Sequence, residues 1–142
     1  MDFHKILIAI DDTDSAEMIA LNGLQLANQF HAEIGLVSIV NSLLPINFDD
    51  ATPREIEEII DNYNNIAQQN VINKVFKDVP VKRFVELGKP SEAINKIAEE
   101  WHADIIVMGT HGRKGLSHFF IGSVAEEVMR HSKRAMVVIP IS

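Results

Sequence analysis

The sequence predicts an α/β fold, a doubly wound sandwich whose parallel sheet is covered on both faces. Three observations lead there. Short continuous apolar runs, among them KILIAID, EIGLVSIV and AMVVIPI, have the length and composition of strands buried on both sides. Longer stretches between them repeat apolar residues at helical spacing. The two kinds of segment alternate along the chain with no linker or low-complexity stretch, as right-handed strand–helix–strand units do.

The first strand is read over Lys5 to Asp11. Asp14 then opens a helix, with Glu17 three positions on as a capping-box partner. Ala16, Ile19, Ala20, Leu24 and Ala27 carry that helix to about Phe30. Glu33 to Val40 forms the second strand, and the irregular NSLLPINFDDA follows. Thr52-Pro53 starts the next helix with proline in its first turn. Ile56, Ile59, Ile60, Tyr63, Ile66 and Ala67 give it one apolar stripe that continues towards Phe76. Val81 to Leu87 alternates and is poorer in apolar residues, which suits a sheet edge. GKPSEAINKIAEEW has turn chemistry, then Ile94, Ile97, Ala98 and Trp101 on one helical face. DIIVMG is the fourth strand, Ser123 to His131 the last helix with Val124, Val128 and Met129 inward, and Ala135 to Ile141 the fifth strand.

At 142 residues the chain fits one domain, residues 1–142, large enough for a substantial core. No apolar run approaches the ~20 residues of a spanning helix, so no membrane insertion is expected. The absence of cysteine excludes disulfides, thiolate metal sites and cysteine nucleophiles. MDFHKILIAIDD lacks a cationic lead-in and a cleavage site, so the cytoplasm is the default location. A net charge of −7 argues against general affinity for nucleic acid. That charge is uneven: residues 1–70 hold 12 acids against 2 Lys/Arg, net −10, and residues 71–142 hold 8 against 11, net +3.

GTHGRKGLSHFFIGS, residues Gly109 to Ser123, contains four glycines and two adjacent cations, Arg113 and Lys114. Glycine lets backbone N–H groups approach an anion, and a helix N-terminus adds free donors and partial positive charge. In an open parallel sheet, ligands bind beyond the carboxyl ends of the strands where the strand order reverses. With a 3-2-1-4-5 order, this loop and Asp11-Asp12 are neighbours at that point. Gly109 could equally end a strand and Gly122 begin a helix, so loop composition alone leaves a phosphate cradle and plain turn chemistry both open. The six histidines show no metal-ligand spacing.

Gly109, Gly112, Gly122 and Ser123 reproduce the nucleotide-binding signature of the universal stress protein family: Gly, two residues, Gly, nine residues, Gly, then Ser or Thr. KILIAIDDTDSA, GKPSEAI and AMVVIP match family habits in order, so the chain resembles that family along its whole length, in the branch that binds ATP. The resemblance implies a Rossmann-like five-stranded sheet of order 3-2-1-4-5 and a homodimer joined through the C-terminal strand. It implies that Gly112, Gly122 and Ser123 hold phosphates, with Gly109 forming the floor beside the ribose and α-phosphate. Asp11 would accept hydrogen bonds from ribose hydroxyls, and the backbone of Ile39 would pair with adenine. Met108 and Val124, flanking the signature, belong to the same site. The family often has proline two residues before this aspartate; Ala9 stands here instead.

ATP is therefore the expected ligand. Magnesium or manganese could arrive with it, bridging its phosphates and recruiting Ser123 or an N-terminal aspartate. The leading expectation is a nucleotide-binding regulatory module of stress response, acting on its own dimer or on an unidentified protein partner. The alternative is a slow ATPase or an ATP-dependent nucleotidyl or phosphoryl transferase. Against the alternative, the chain has neither a Walker motif nor a G-x-S-x-G elbow, and no clearly positioned base.

Overall fold

The computed structural model describes residues 2–11, 13–41, 48–64, 68–110 and 122–141. Its strands are β1 (Lys5–Ala9), β2 (Glu33–Asn41), β3 (Val81–Gly88), β4 (Ile105–Gly109) and β5 (Ala135–Ile139). They form one parallel sheet of order β3-β2-β1-β4-β5. The helices are α1 (Ala16–Phe30), α2 (Pro53–Asn64), α3 (Pro90–Trp101) and α4 (Ser123–His131). Between α2 and β3 the chain also makes a π-helical segment, Ile72–Phe76. Both the predicted class and the strand order hold.

Strand alternation divides the core into two layers. Ile6, Ile8, Ile34, Leu36, Ile105 and Val107 pack with Ile19, Ala20 and Ala27 of α1 and with Val71 and Phe76. Leu7, Val37, Ile106 and Met108 face the other way, onto Ile94, Ile97 and Ala98 of α3 and Ala125 and Val128 of α4. β1 is central and fully buried at Ile6, Leu7 and Ile8, which explains its uninterrupted apolar run. β3 and β5 are the edges, and each pairs with one neighbour among the described strands.

Four expectations about elements need correction. β1 ends at Ala9 rather than Asp11; Ile10 N–H still donates to Val37 C=O at 3.0 Å before the chain turns away. The α1 cap is Ser15, with no side-chain cap bond, and not Asp14. The turn is made earlier, where Thr13 donates to the Asp11 carboxylate. Glu17 is drawn sideways to Lys74 Nζ at 3.1 Å instead of capping its own helix. Met129 is half exposed, because the inward stripe of α4 runs through Ala125 and Val128. β5 stops at Ile139, since Pro140 has no N–H for the ladder. The predicted start of α2 holds: Glu55 N–H donates to Thr52 Oγ1 at 3.2 Å. Of its expected stripe, Ile56, Ile59 and Ile60 are half-buried, while Ile66 and Ala67 lie outside the described residues.

One buried polar bridge ties the segment after α2 to the sheet. Gln68 is fully buried. Its Nε2 donates to Ser38 Oγ at 3.1 Å and to Phe84 C=O at 2.9 Å, and its Oε1 accepts from Arg83 Nε at 3.1 Å. Leucine in its place would remove these hydrogen bonds from the buried Ser38 hydroxyl and the Phe84 carbonyl, at about 1–3 kcal/mol. Gln68→Leu should therefore lower the urea midpoint, and adding Ser38→Ala should recover part of the loss. An unchanged midpoint would show that the bridge contributes nothing.

Candidate functional site

β1 lies where the chain reverses its direction of travel across the sheet, towards β2 and β3 first and towards β4 and β5 later. The crevice at its carboxyl end is where open parallel sheets take ligands. A cavity of about 220 Å³ sits there, lined by Ala9, Ile10, Asp11, Val37, Ile39, Pro90, Ile94, Met108, Gly109 and Val124. Five of the eight residues expected from the sequence are thus gathered: Asp11, Ile39, Met108, Gly109 and Val124. Gly122 and Ser123 stand next to Val124 at the start of α4 and do not line the cavity. Gly112 lies outside the described residues, as do Asp12, His111, Arg113 and Lys114.

Each wall has a local cause. β2 outruns β1: the last β1–β2 pair is Ala9 with Val37, whereas β2 continues beside β3 to Asn41. Val37 C=O points towards β1, accepting from Ile10 N–H. Alternation then turns the N–H and C=O of Ile39 to the same side, beyond the last paired residue of β1. A strand backbone offered in that way can meet the edge of a flat heterocycle. The Ile39 side chain packs on the α3 and α4 layer and closes the wall.

Asp11 begins the turn out of β1. Its Oδ1 accepts from Thr13 N–H at 2.9 Å and from Thr13 Oγ1 at 2.6 Å. Among the described lining residues it is the one that can carry a charge, so the cavity is apolar with a single carboxylate.

The two glycines have different reasons. Gly109 contributes backbone to the cavity, but a Cβ there would collide with Ile141 and come within 2.7 Å of Ile19 Cδ1. Its missing side chain is required by packing beneath the site. Gly122 is the N-cap of α4 at φ 95° and ψ 141°, a region that L side chains rarely adopt. Ser123 is accordingly the first helical residue and not the cap. Any substitution at Gly122 would strain the backbone, so loss of binding there would not isolate a phosphate contact.

A family model described as the universal stress protein family matches residues 2–140. The chain belongs to the universal stress protein family. A Staphylococcus aureus (strain USA300) protein bearing that family name is 28% identical over 145 residues, covering 96% of this chain and 84% of that protein. A universal stress protein crystallised in complex with cAMP superposes with a TM-score of 0.67 at 20% identity, over 100% of both chains. One from Archaeoglobus fulgidus in complex with dAMP gives 0.62 at 19% identity, over 98% of this chain and 99% of that one. At such identities the two structures establish the shared fold.

As a universal stress protein the chain places five further apolar residues at the cavity that the sequence reading did not assign: Ala9, Ile10, Val37, Pro90 and Ile94. Pro90 and Ile94 were legible only as the opening of a helix. Their place follows from the crossover that lays α3 over the switch point. A latch holds that helix start. Glu127 of α4 accepts from Ser91 Oγ at 2.7 Å and pairs with Lys89 Nζ at 3.2 Å, one turn along from Val124. Val124 and Pro90, which both line the cavity, thus belong to helix starts that are tied together. Among the described residues no group of three His, Cys, Asp or Glu is gathered to hold a metal ion.

The hydrogen bond from Ser91 first, and the hydrogen bond and charge of Lys89 next, hold the Glu127 carboxyl below its ordinary value of 4.5. A depressed acid stabilises the fold above its unfolded pKa and loses that contribution as pH falls through its folded pKa. Wild type should therefore melt higher than Glu127→Gln at neutral pH, and the gap should close as pH drops below about 4.5. A gap independent of pH, followed by calorimetry, would show that the charge of Glu127 plays no part.

Proposed function

We propose that this protein binds an adenine nucleotide, with ATP as the principal ligand, and that the loaded state is a signal to its own dimer or to a protein partner. The cavity at the switch point carries the reading. At about 220 Å³ it is smaller than the roughly 300–1,000 Å³ pockets that bury a whole drug-sized ligand. It suits a nucleoside whose phosphates remain outside. In this reading the base lies among Val37, Ile39, Pro90 and Ile94 and meets the Ile39 backbone. Asp11 accepts from the ribose hydroxyls; a carboxylate suits hydroxyl donors and repels phosphate.

The phosphates fall to the start of α4, where Gly122, Ser123 and the free N–H groups of the first turn favour an anion, and to Gly112 in the loop before it. Magnesium or manganese would come with the phosphates. The named complexes of two relatives, with cAMP and with dAMP, support the base as the constant element, because those ligands share adenine and differ at the sugar. Fast phosphoryl transfer needs an oriented nucleophile and preorganised positive charge. Asp11, committed to the sugar, supplies neither, which favours a binder over a transferase.

ATP at 100 times its Kd should stabilise the protein by about 2.7 kcal/mol, visible as a raised melting temperature. Val124→Trp, which fills the cavity, should weaken ATP at least tenfold, about 1.4 kcal/mol. Asp11→Ala should weaken ATP but leave inorganic triphosphate nearly unchanged. Equal calorimetric affinity of ATP for wild type and Val124→Trp would sink the assignment of the cavity.

The reading includes a homodimer through β5. Val137 on this edge strand is 38% exposed, and Met129 of α4 is 50% exposed. An apolar edge with unpaired backbone groups invites a second strand, and two-fold pairing covers both copies at once. Sedimentation at micromolar concentration should give a mass above the 15.9 kDa of one chain, reduced towards it by Val137→Lys. A wild-type mass of 15.9 kDa would exclude the dimer.

A further inference from the structure

Thr13 lies two residues beyond Asp11, is exposed, and does not line the cavity. Its backbone N–H and its hydroxyl both donate to the same carboxylate oxygen, Asp11 Oδ1, at 2.9 and 2.6 Å. The hydroxyl bond has the short O···O separation of a charge-assisted hydrogen bond, roughly twice as strong as a neutral one. A carboxylate on a short side chain otherwise turns easily about its terminal torsion, which has broad minima. Two donors from one residue on one oxygen fix the plane of the carboxylate relative to the end of β1.

We propose that Thr13 is a positioning residue that sets the orientation of the Asp11 carboxylate and so determines how strongly the site distinguishes ribose from deoxyribose. The inference rests on the reading of Asp11 as the ribose acceptor. Two neighbouring sugar hydroxyls can donate to one carboxylate only when its plane faces both. A site shaped to accept a hydroxyl discriminates against the ligand that lacks it, because that ligand forgoes the hydrogen bond. Without the Thr13 hydroxyl, Oδ1 loses its shorter hydrogen bond, the carboxylate is held less firmly in that plane, and the 2′-hydroxyl loses its advantage.

The test is calorimetric titration of the full-length protein with ATP and with dATP. Wild type should prefer ATP. Thr13→Val keeps the shape and the backbone donor but removes the hydroxyl. It should weaken ATP roughly 3- to 10-fold, the scale of one hydrogen bond's net contribution, while dATP changes little, so that the preference collapses. Thr13→Ser restores the donor and should restore the preference. A purely structural role would move ATP and dATP together, or would not be rescued by serine, and either result overturns the inference. Asp11→Ala separates the two levels. If it leaves the ATP-to-dATP ratio untouched, the ribose reading fails and this inference with it. If the ratio falls in Asp11→Ala and holds in Thr13→Val, the inference alone fails.

Discussion

β1 stops at Ala9 while β2 runs on to Asn41, and the remainder of the site hangs on that mismatch. Four residues of β2 extend past the last β1–β2 pair, roughly 13 Å at a strand rise of about 3.3 Å per residue. Had β1 continued to Asp11, its backbone would have taken the groups of Ile39 into the ladder and filled the crevice with strand. The chain turns out because Asp11 captures the Thr13 N–H and hydroxyl, a side-chain bond that competes with continued sheet. One polar contact thus ends the central strand, opens the cavity, and leaves a carboxylate at its rim.

Two helix starts complete the enclosure, and both are there because of handedness. Right-handed crossovers place α3 and α4 on the same face of the sheet, with Pro90, Ile94 and Val124 meeting over the switch point. Neighbouring helices that only touched would be free to slide. Glu127, held by Ser91 and Lys89, and Asn95 Nδ2, donating to Val128 C=O at 3.4 Å, fix their relative height. The cavity walls are therefore as rigid as the packing of Ile97, Ala98, Ala125 and Val128 beneath them.

The layer architecture was legible because burial on both faces leaves a plain signature, continuous apolar runs over Lys5 to Ala9 and Ile105 to Gly109. The glycine spacing named the family, and the family brought Asp11 and Ile39 with it. What escaped were properties of contact. That Gly109 must lack a side chain because of Ile19 and Ile141 depends on which residues the fold stacks below it. That Glu17 does not cap α1 depends on Lys74, distant in sequence, taking its carboxylate. Pro90 and Ile94 read as an ordinary helix start, since nothing local says which strand ends they will cover. Met129 had the right period for the core, but the sheet edge leaves no second layer to receive it.

The strand order also turns a lengthwise asymmetry of charge into a lateral one. The acids of the first half include Glu55, Glu57, Glu58 and Asp61 of α2, which packs over β2 and β3. Arg130 belongs to α4 and Arg134 immediately precedes β5, at the other end of the order 3-2-1-4-5. The site lies between them, with α4 on the cationic side. Even there the cations are partly spent: Arg130 pairs with Glu126 at 3.0 Å, and Arg134 with Glu99 at 3.5 Å. In the proposed complex, with a chain of net charge −7, the described cations do not draw in a phosphate from afar, because beyond a Debye length of about 8 Å such fields are screened. Among the described residues, the short-range donors at the start of α4 remain, and these act only on an anion already brought to them. In the proposed complex the apolar cavity does the bringing: the nucleoside docks first, and the phosphates are delivered to α4 by the length of the ligand.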